Sequence, residues 1–117
     1  MEEKLNIYQE ERPWGNFRKF TENTESTVKI ITINPNEELS VQSHEKRQEF
    51  WRVISGSGKW EVGDESHDFN RGDEKLVPIG AHHRIIAGGS GIEILEIAIG
   101  KFDEGDIVRY EDKYGRA

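Results

Sequence analysis

From Trp14 onward the sequence is a succession of short β-branched and aromatic runs cut by Gly, Pro, Asn and Asp, the pattern of all-β sandwiches and barrels. Residues 28–33 (VKIITI) are the clearest early strand, stopped by Asn34-Pro35-Asn36, and residues 39–44 and 50–54 follow. Ser55-Gly56-Ser57-Gly58 has the small residues of a hairpin reversal, so residues 59–62 are expected to run back beside 50–54 until Gly63-Asp64 turns the chain again. Residues 66–69, 75–77 and 83–87 make three further short strands, with a turn at 70–73 and a Pro78-Ile79-Gly80 corner between them. Gly88-Gly89-Ser90-Gly91 reads as a flexible turn. Residues 92–99 (IEILEIAI) are the longest apolar run, and their isoleucine content and flanking glycines favour a core strand over a helix. The polar tail 103–116 is irregular or carries one short strand.

A chain of 117 residues is the size of one domain with one modest core. We divide it into an N-terminal arm over residues 1–11, packed over a sheet edge, and a folded domain over 12–117, with Trp14 a buriable indole between Pro13 and Gly15. A formal net charge of -7 argues against a nucleic-acid partner, whose phosphates need neutralising by Lys and Arg. Without cysteine the chain has no disulfide framework, thiolate site or cysteine nucleophile, which fits a reducing compartment. The start, Met1-Glu2-Glu3-Lys4, lacks an apolar leader, and no stretch approaches the roughly 20 apolar residues that span a bilayer. A soluble cytoplasmic protein with no membrane partner is expected.

Chemistry concentrates in the stretch from Ser40 to Trp51. Gln42 and His44 share a strand face because side chains alternate with period two, and Glu49 follows a charged, turn-like connection that can fold its carboxylate onto that face. A fourth ligand is offered by His83, delivered to a strand start by the Pro-x-Gly corner; His82 has the opposite parity and is expected outward. Trp51 and Trp60 suit packing in a small barrel, and His67 suits solvent.

The spacing from His44 through Glu49 to Gly56, and from Gly72 through Pro78 and Gly80 to His83, resembles the two halves of the cupin motif. More narrowly, Arg12-Pro13-Trp14-Gly15, residues 39–44, Arg47-Gln48-Glu49-Phe50-Trp51 and residues 106–116 resemble the type II mannose-6-phosphate isomerase domain, which often follows a guanylyltransferase domain and also occurs alone. No nucleotidyltransferase region is present in these residues, so GDP-mannose synthesis is not expected of this chain by itself. The resemblance implies an all-β, single-domain cupin double-stranded β-helix, or jelly-roll barrel, with a divalent metal held by Gln42, His44, Glu49 and His83. Such a mixed nitrogen and oxygen set suits zinc, iron, manganese or nickel without strongly selecting among them; zinc is the first expectation, with manganese, iron, nickel or cobalt as alternatives.

The implied activity is isomerisation of mannose 6-phosphate to fructose 6-phosphate through an enediol. Lys29 shares parity with Ile31 and Ile33, so it points into the barrel and needs an anion there; its expected role is proton transfer or phosphate binding. Arg109 is the second catalytic candidate. Arg47 and His82 are substrate-binding candidates, Arg47 because a guanidinium fork matches phosphate oxygens. The expected partners are a small sugar phosphate and a second copy of the chain in a homodimer. Two other classes stay open: an iron-dependent oxygenase built on the same ligands, and a non-catalytic sugar-phosphate-binding or partner domain. The sequence departs from the family at Ala87, where asparagine is usual, at Ile30, where a basic residue is frequent, and at Asn36, where glycine is usual.

Overall fold

The computed structural model describes residues 7–117, and among these it contains strands, turns and loops but no helix. Met1 to Lys4 and most of the arm expected over 1–11 lie outside the described residues. The all-β expectation holds.

β1 (Tyr8–Arg12) and β2 (Gly15–Lys19) form a hairpin of their own, closed by Pro13 and Trp14. Trp14 is 73% exposed at its tip, so the buriable indole expected there is corrected: a two-residue turn at the free end of a hairpin has nothing to bury it. The barrel comprises β3 (Ser26–Ile33), β4 (Val41–Ser43), β5 (Arg47–Val62), β6 (Glu65–Phe69), β7 (Glu74–Val77), β8 (His83–Gly100) and β9 (Val108–Glu111). All its ladders are antiparallel. One wall is β7, the first half of β5, the second half of β8 and β3; the other is β6, the second half of β5, the first half of β8, β4 and β9.

Two expected turns are therefore not turns. Ser55–Gly58 does not reverse the chain, and residues 88–91 do not end a strand; both lie within the long strands β5 and β8, which pass from one wall to the other. Their mutual register slips between Val53 and Ser55 and again between Gly56 and Gly58, where the partner jumps from Ile92 to Ala87. The glycines serve close backbone approach at these bulges. A Cβ on Gly56 would lie 2.1 Å from the Gly91 carbonyl oxygen, and one on Gly58 would lie 2.2 Å from that of Ile86.

Period-two alternation then fills the interior. Trp51, Val53, Trp60, Phe69, Ile85 and Ile94 are buried between the walls, with Trp60 and Phe69 stacked at 4.5 Å. A smaller cluster of Phe50, Ile97 and Ile99 lies on the outer face of the first wall, where Phe20 covers it. Asn36 takes a φ of 61°, the left-handed conformation for which glycine is usual and which asparagine tolerates. That departure from the family is conformationally neutral.

Candidate metal centre

The hydrophobic filling stops short of one end of the barrel, where His44, Glu49, His83 and Glu96 are all buried. Each arrives by a local rule. Glu49 has the inward parity of Trp51 and Val53 on β5, and Glu96 that of Ile94 and Ala98 on β8. His44 follows directly on β4, and His83 is the first residue of β8, beyond a turn in which Gly80 has φ +80°. The Gly80 N–H donates to the His44 carbonyl at 2.8 Å, which ties the two histidine-bearing connections together.

One candidate ligand atom from each of His44, Glu49 and His83 lies within 4.8 Å of the others. His44 Nδ1 donates to the Asp106 carbonyl at 2.7 Å, and His83 Nδ1 donates to the Ala81 carbonyl at 2.9 Å. A carbonyl oxygen only accepts, so both Nδ1 atoms carry the proton and both Nε2 atoms present a lone pair. Burial lowers the pKa of both rings, that of His83 to about 4, which keeps them neutral near pH 7.

His44 Nε2 stands 3.4 Å from Glu49 Oε2, and His83 Nε2 stands 3.6 Å from Glu49 Oε1. Lone pairs converging on a carboxylate repel unless positive charge lies between them. His83 Nε2 is a buried acceptor with no hydrogen-bond partner. The donor set, its tautomers and this orphaned atom all fit a divalent cation held by two imidazoles and a carboxylate.

Gln42 lines a cavity of ≈ 210 Å³ with His44 and Glu49, together with Lys29, Arg47, Trp51, Glu96 and Arg109. It pairs with His83 in the β4 to β8 ladder, and its Oε1 accepts from Ser40 Oγ at 3.3 Å. Lys29 points inward and meets an anion, its Nζ lying 3.4 Å from Glu96 Oε2. Arg109, opposite Gln42 on β9, has a buried Nε with no partner.

His82 is the exception. It is exposed and stacked on Tyr110 at 3.9 Å, and it lines with His83, Arg84 and Tyr110 a groove that His44, Glu49 and Glu96 do not line. The outward placement expected from its parity is observed. A larger cavity of ≈ 600 Å³ lies under the β1–β2 hairpin, and among the described residues no group of clustered ligand residues lines it.

Glu96 was not singled out from sequence, although a carboxylate sharing parity with Ile94 and Ala98 in a core strand was the available signal. It is 4% exposed, and its pKa is raised by burial and by neighbouring Glu49, with Lys29 acting in the opposite sense. Trp51 Nε1 lies 3.3 Å from Glu49 Oε1 and 3.4 Å from Glu96 Oε1, so one indole N–H is shared between two carboxylates.

Residues 2–112 match the family described as mannose-6-phosphate isomerase C-terminal. The chain is similar to mannose-1-phosphate guanylyltransferase ManC of Salmonella typhimurium, 35% identical over 107 residues, which is 90% of this chain and 22% of that protein. It thus spans under a quarter of the length of the curated relatives it matches. Among solved structures, oxalate decarboxylase from Bacillus subtilis matches with a TM-score of 0.67 at 25% identity, over 74% of this chain and 24% of that one. A Klebsiella pneumoniae protein with a double-stranded β-helix domain matches with a TM-score of 0.63 at 22% identity, over 79% of this chain and 80% of that one. The cupin double-stranded β-helix implied by the resemblance is the fold observed.

Proposed function

The chain belongs to the mannose-6-phosphate isomerase C-terminal family, and on that premise we propose that it is a metal-dependent aldose–ketose isomerase interconverting mannose 6-phosphate and fructose 6-phosphate. The observation that carries this reading is one cavity lined by His44, Glu49, the carboxylate Glu96 and the cations Lys29, Arg47 and Arg109, with a His83 ligand atom within 4.8 Å of those of His44 and Glu49.

The reaction moves one proton between adjacent carbons and another between their oxygens, through an enediol. His44, Glu49 and His83, with Gln42 as a further oxygen donor, would hold a divalent cation, which when bound would supply positive charge for the substrate's developing oxyanion. Glu96 is the group proposed to take and return the carbon-bound proton. Its support is a buried, inward carboxylate whose pKa is drawn up toward the working range. Lys29, the sequence-based candidate for that role, becomes its partner, orienting the carboxylate through the 3.4 Å contact. Arg109, with its unpartnered Nε, is the proposed phosphate contact.

The test is incubation of metal-loaded protein with mannose 6-phosphate in D2O, followed by NMR. Fructose 6-phosphate carrying deuterium at C1, and through the back reaction mannose 6-phosphate carrying it at C2, are expected; neither appearing, with the Gln42, His44, Glu49 and His83 ligands intact, would falsify the assignment. The likeness to oxalate decarboxylase favours one second reading, metal-dependent decarboxylation of a small acid. Carbon dioxide release from oxalate without exchange into the sugar would select it. A cytoplasmic homodimer completes the proposal, supported on the dimer side by the β3 strand, which exposes Val28 and Ile30; sedimentation tests it.

A further inference from the structure

Arg47, the first residue of β5, is 6% exposed, and its guanidinium donates in three directions. Nε reaches Glu49 Oε2 at 3.3 Å, Nη2 reaches His44 Nε2 at 3.3 Å, and Nη1 reaches the Asp103 carbonyl at 3.3 Å. Its planar face lies over the Phe102 ring, 4.3 Å from the centroid. The expected phosphate-binding fork is thus engaged with two of the metal-ligand residues and with the segment that follows β8.

The His44 contact decides the consequence. Its Nδ1 proton is committed to the Asp106 carbonyl, which leaves one lone pair on Nε2. One lone pair serves one partner, either the Arg47 N–H or a cation. Glu49 Oε2 is contested by the same two claimants, and a guanidinium held beside a divalent ion adds repulsion between like charges.

We propose that Arg47 is a built-in competitor of the metal: it must withdraw from His44 and Glu49 for a divalent cation to bind, and its withdrawal loosens the segment 102–106. The inference rests on the metal-centre reading. The coupling follows because the same guanidinium holds the Asp103 carbonyl and the Phe102 ring. Asp103 in turn anchors a turn, accepting from Gly105 N at its Oδ1 (2.8 Å) and from Asp106 N at its carbonyl (2.9 Å). Asp106 grips the β4–β5 connection, its two carboxylate oxygens accepting from the Glu45 and Lys46 N–H groups at 3.0 Å each. Metal loading and the order of this segment are therefore one equilibrium. Since Lys29 and Arg109 line the same cavity, a guanidinium released from His44 is available to an anionic substrate there.

The test compares wild type with Arg47→Met, which keeps an unbranched apolar stem, by calorimetric titration of the full chain with zinc or cobalt(II) alone. The variant is expected to bind roughly tenfold more tightly or better, because a fixed charge competing for the ligand atoms is gone. Equal or weaker binding overturns the inference, and weaker binding shows that Arg47 supports the ligands instead. Absence of binding by both proteins overturns the metal-centre reading and this inference with it. A second measurement needs no variant: in wild type, adding metal is expected to speed hydrogen exchange at the Gly105 and Asp106 amides, the reverse of ordinary ligand protection. Unchanged or slower exchange there overturns the coupling.

Discussion

Glu49 and Glu96 share one indole N–H yet carry different assignments, and the difference is testable. Glu49 faces both imidazole Nε2 atoms, so Glu49→Gln should strip the metal, as should His83→Ala, read by elemental analysis after dialysis. Glu96→Gln keeps the shape and the Trp51 contact but cannot accept a proton. It should retain wild-type metal content while kcat falls by roughly 10²–10⁴, the usual contribution of a general base. Loss of metal in Glu96→Gln would make it a ligand, and unchanged kcat would remove it from the chemistry. The candidate ligand residues His44, Glu49 and His83 were legible because period two and a Pro-x-Gly corner are local rules that fix which way a side chain points. Glu96 was harder to see. Its neighbours read as pure core, and what identifies it is its pairing with Lys29 from a strand more than sixty residues earlier.

At the scale of elements, the bent pair β5 and β8 makes the barrel, and its corner depends on backbone approach rather than on turn chemistry. Gly56→Ala places a methyl 2.1 Å from the Gly91 carbonyl oxygen at a φ of +82°, and the atom it meets belongs to strand backbone. It should cost about 3 kcal/mol or more in urea unfolding. Gly89→Ala meets nothing within 4 Å and should stay within about 0.5 kcal/mol of wild type in the same assay. Equal effects at the two positions would refute the corner explanation. The strands themselves were readable from β-branched alternation. Their continuity was not, because Gly-Ser-Gly suits a hairpin and a bulge equally well, and only the partner strand distinguishes them.

For the molecule as a whole, the β1–β2 hairpin is joined to the barrel by few contacts, the chief polar one being Arg18 to Glu74 at 2.7 and 3.0 Å, with Arg52 on the same carboxylate and Phe20 packed on Phe50 nearby. The Arg18 hydrogen bonds, followed by those of Arg52, hold the Glu74 carboxyl below its usual range despite its partial burial. A depressed folded pKa means that the stabilisation is present above the unfolded value, near 4.3 for a typical glutamate, and is lost as pH falls through the lower folded value. Glu74→Gln should therefore cost about 1 kcal/mol near neutral pH, with the difference from wild type vanishing in acid, as chemical denaturation across a pH series would show. A difference that persists at low pH would mean that the pair is not what joins the hairpin to the barrel. The sequence by itself determined the all-β class, the strand faces and the convergence of His44, Glu49 and His83, because alternation and turn preference act between near neighbours. Only the tertiary structure decided that two glycine-rich stretches are corners rather than reversals, that Glu96 meets Lys29 and Trp51, and that Arg47 turns onto His44. Those outcomes depend on ladder register and burial between distant strands, for which no local pattern carries a signal.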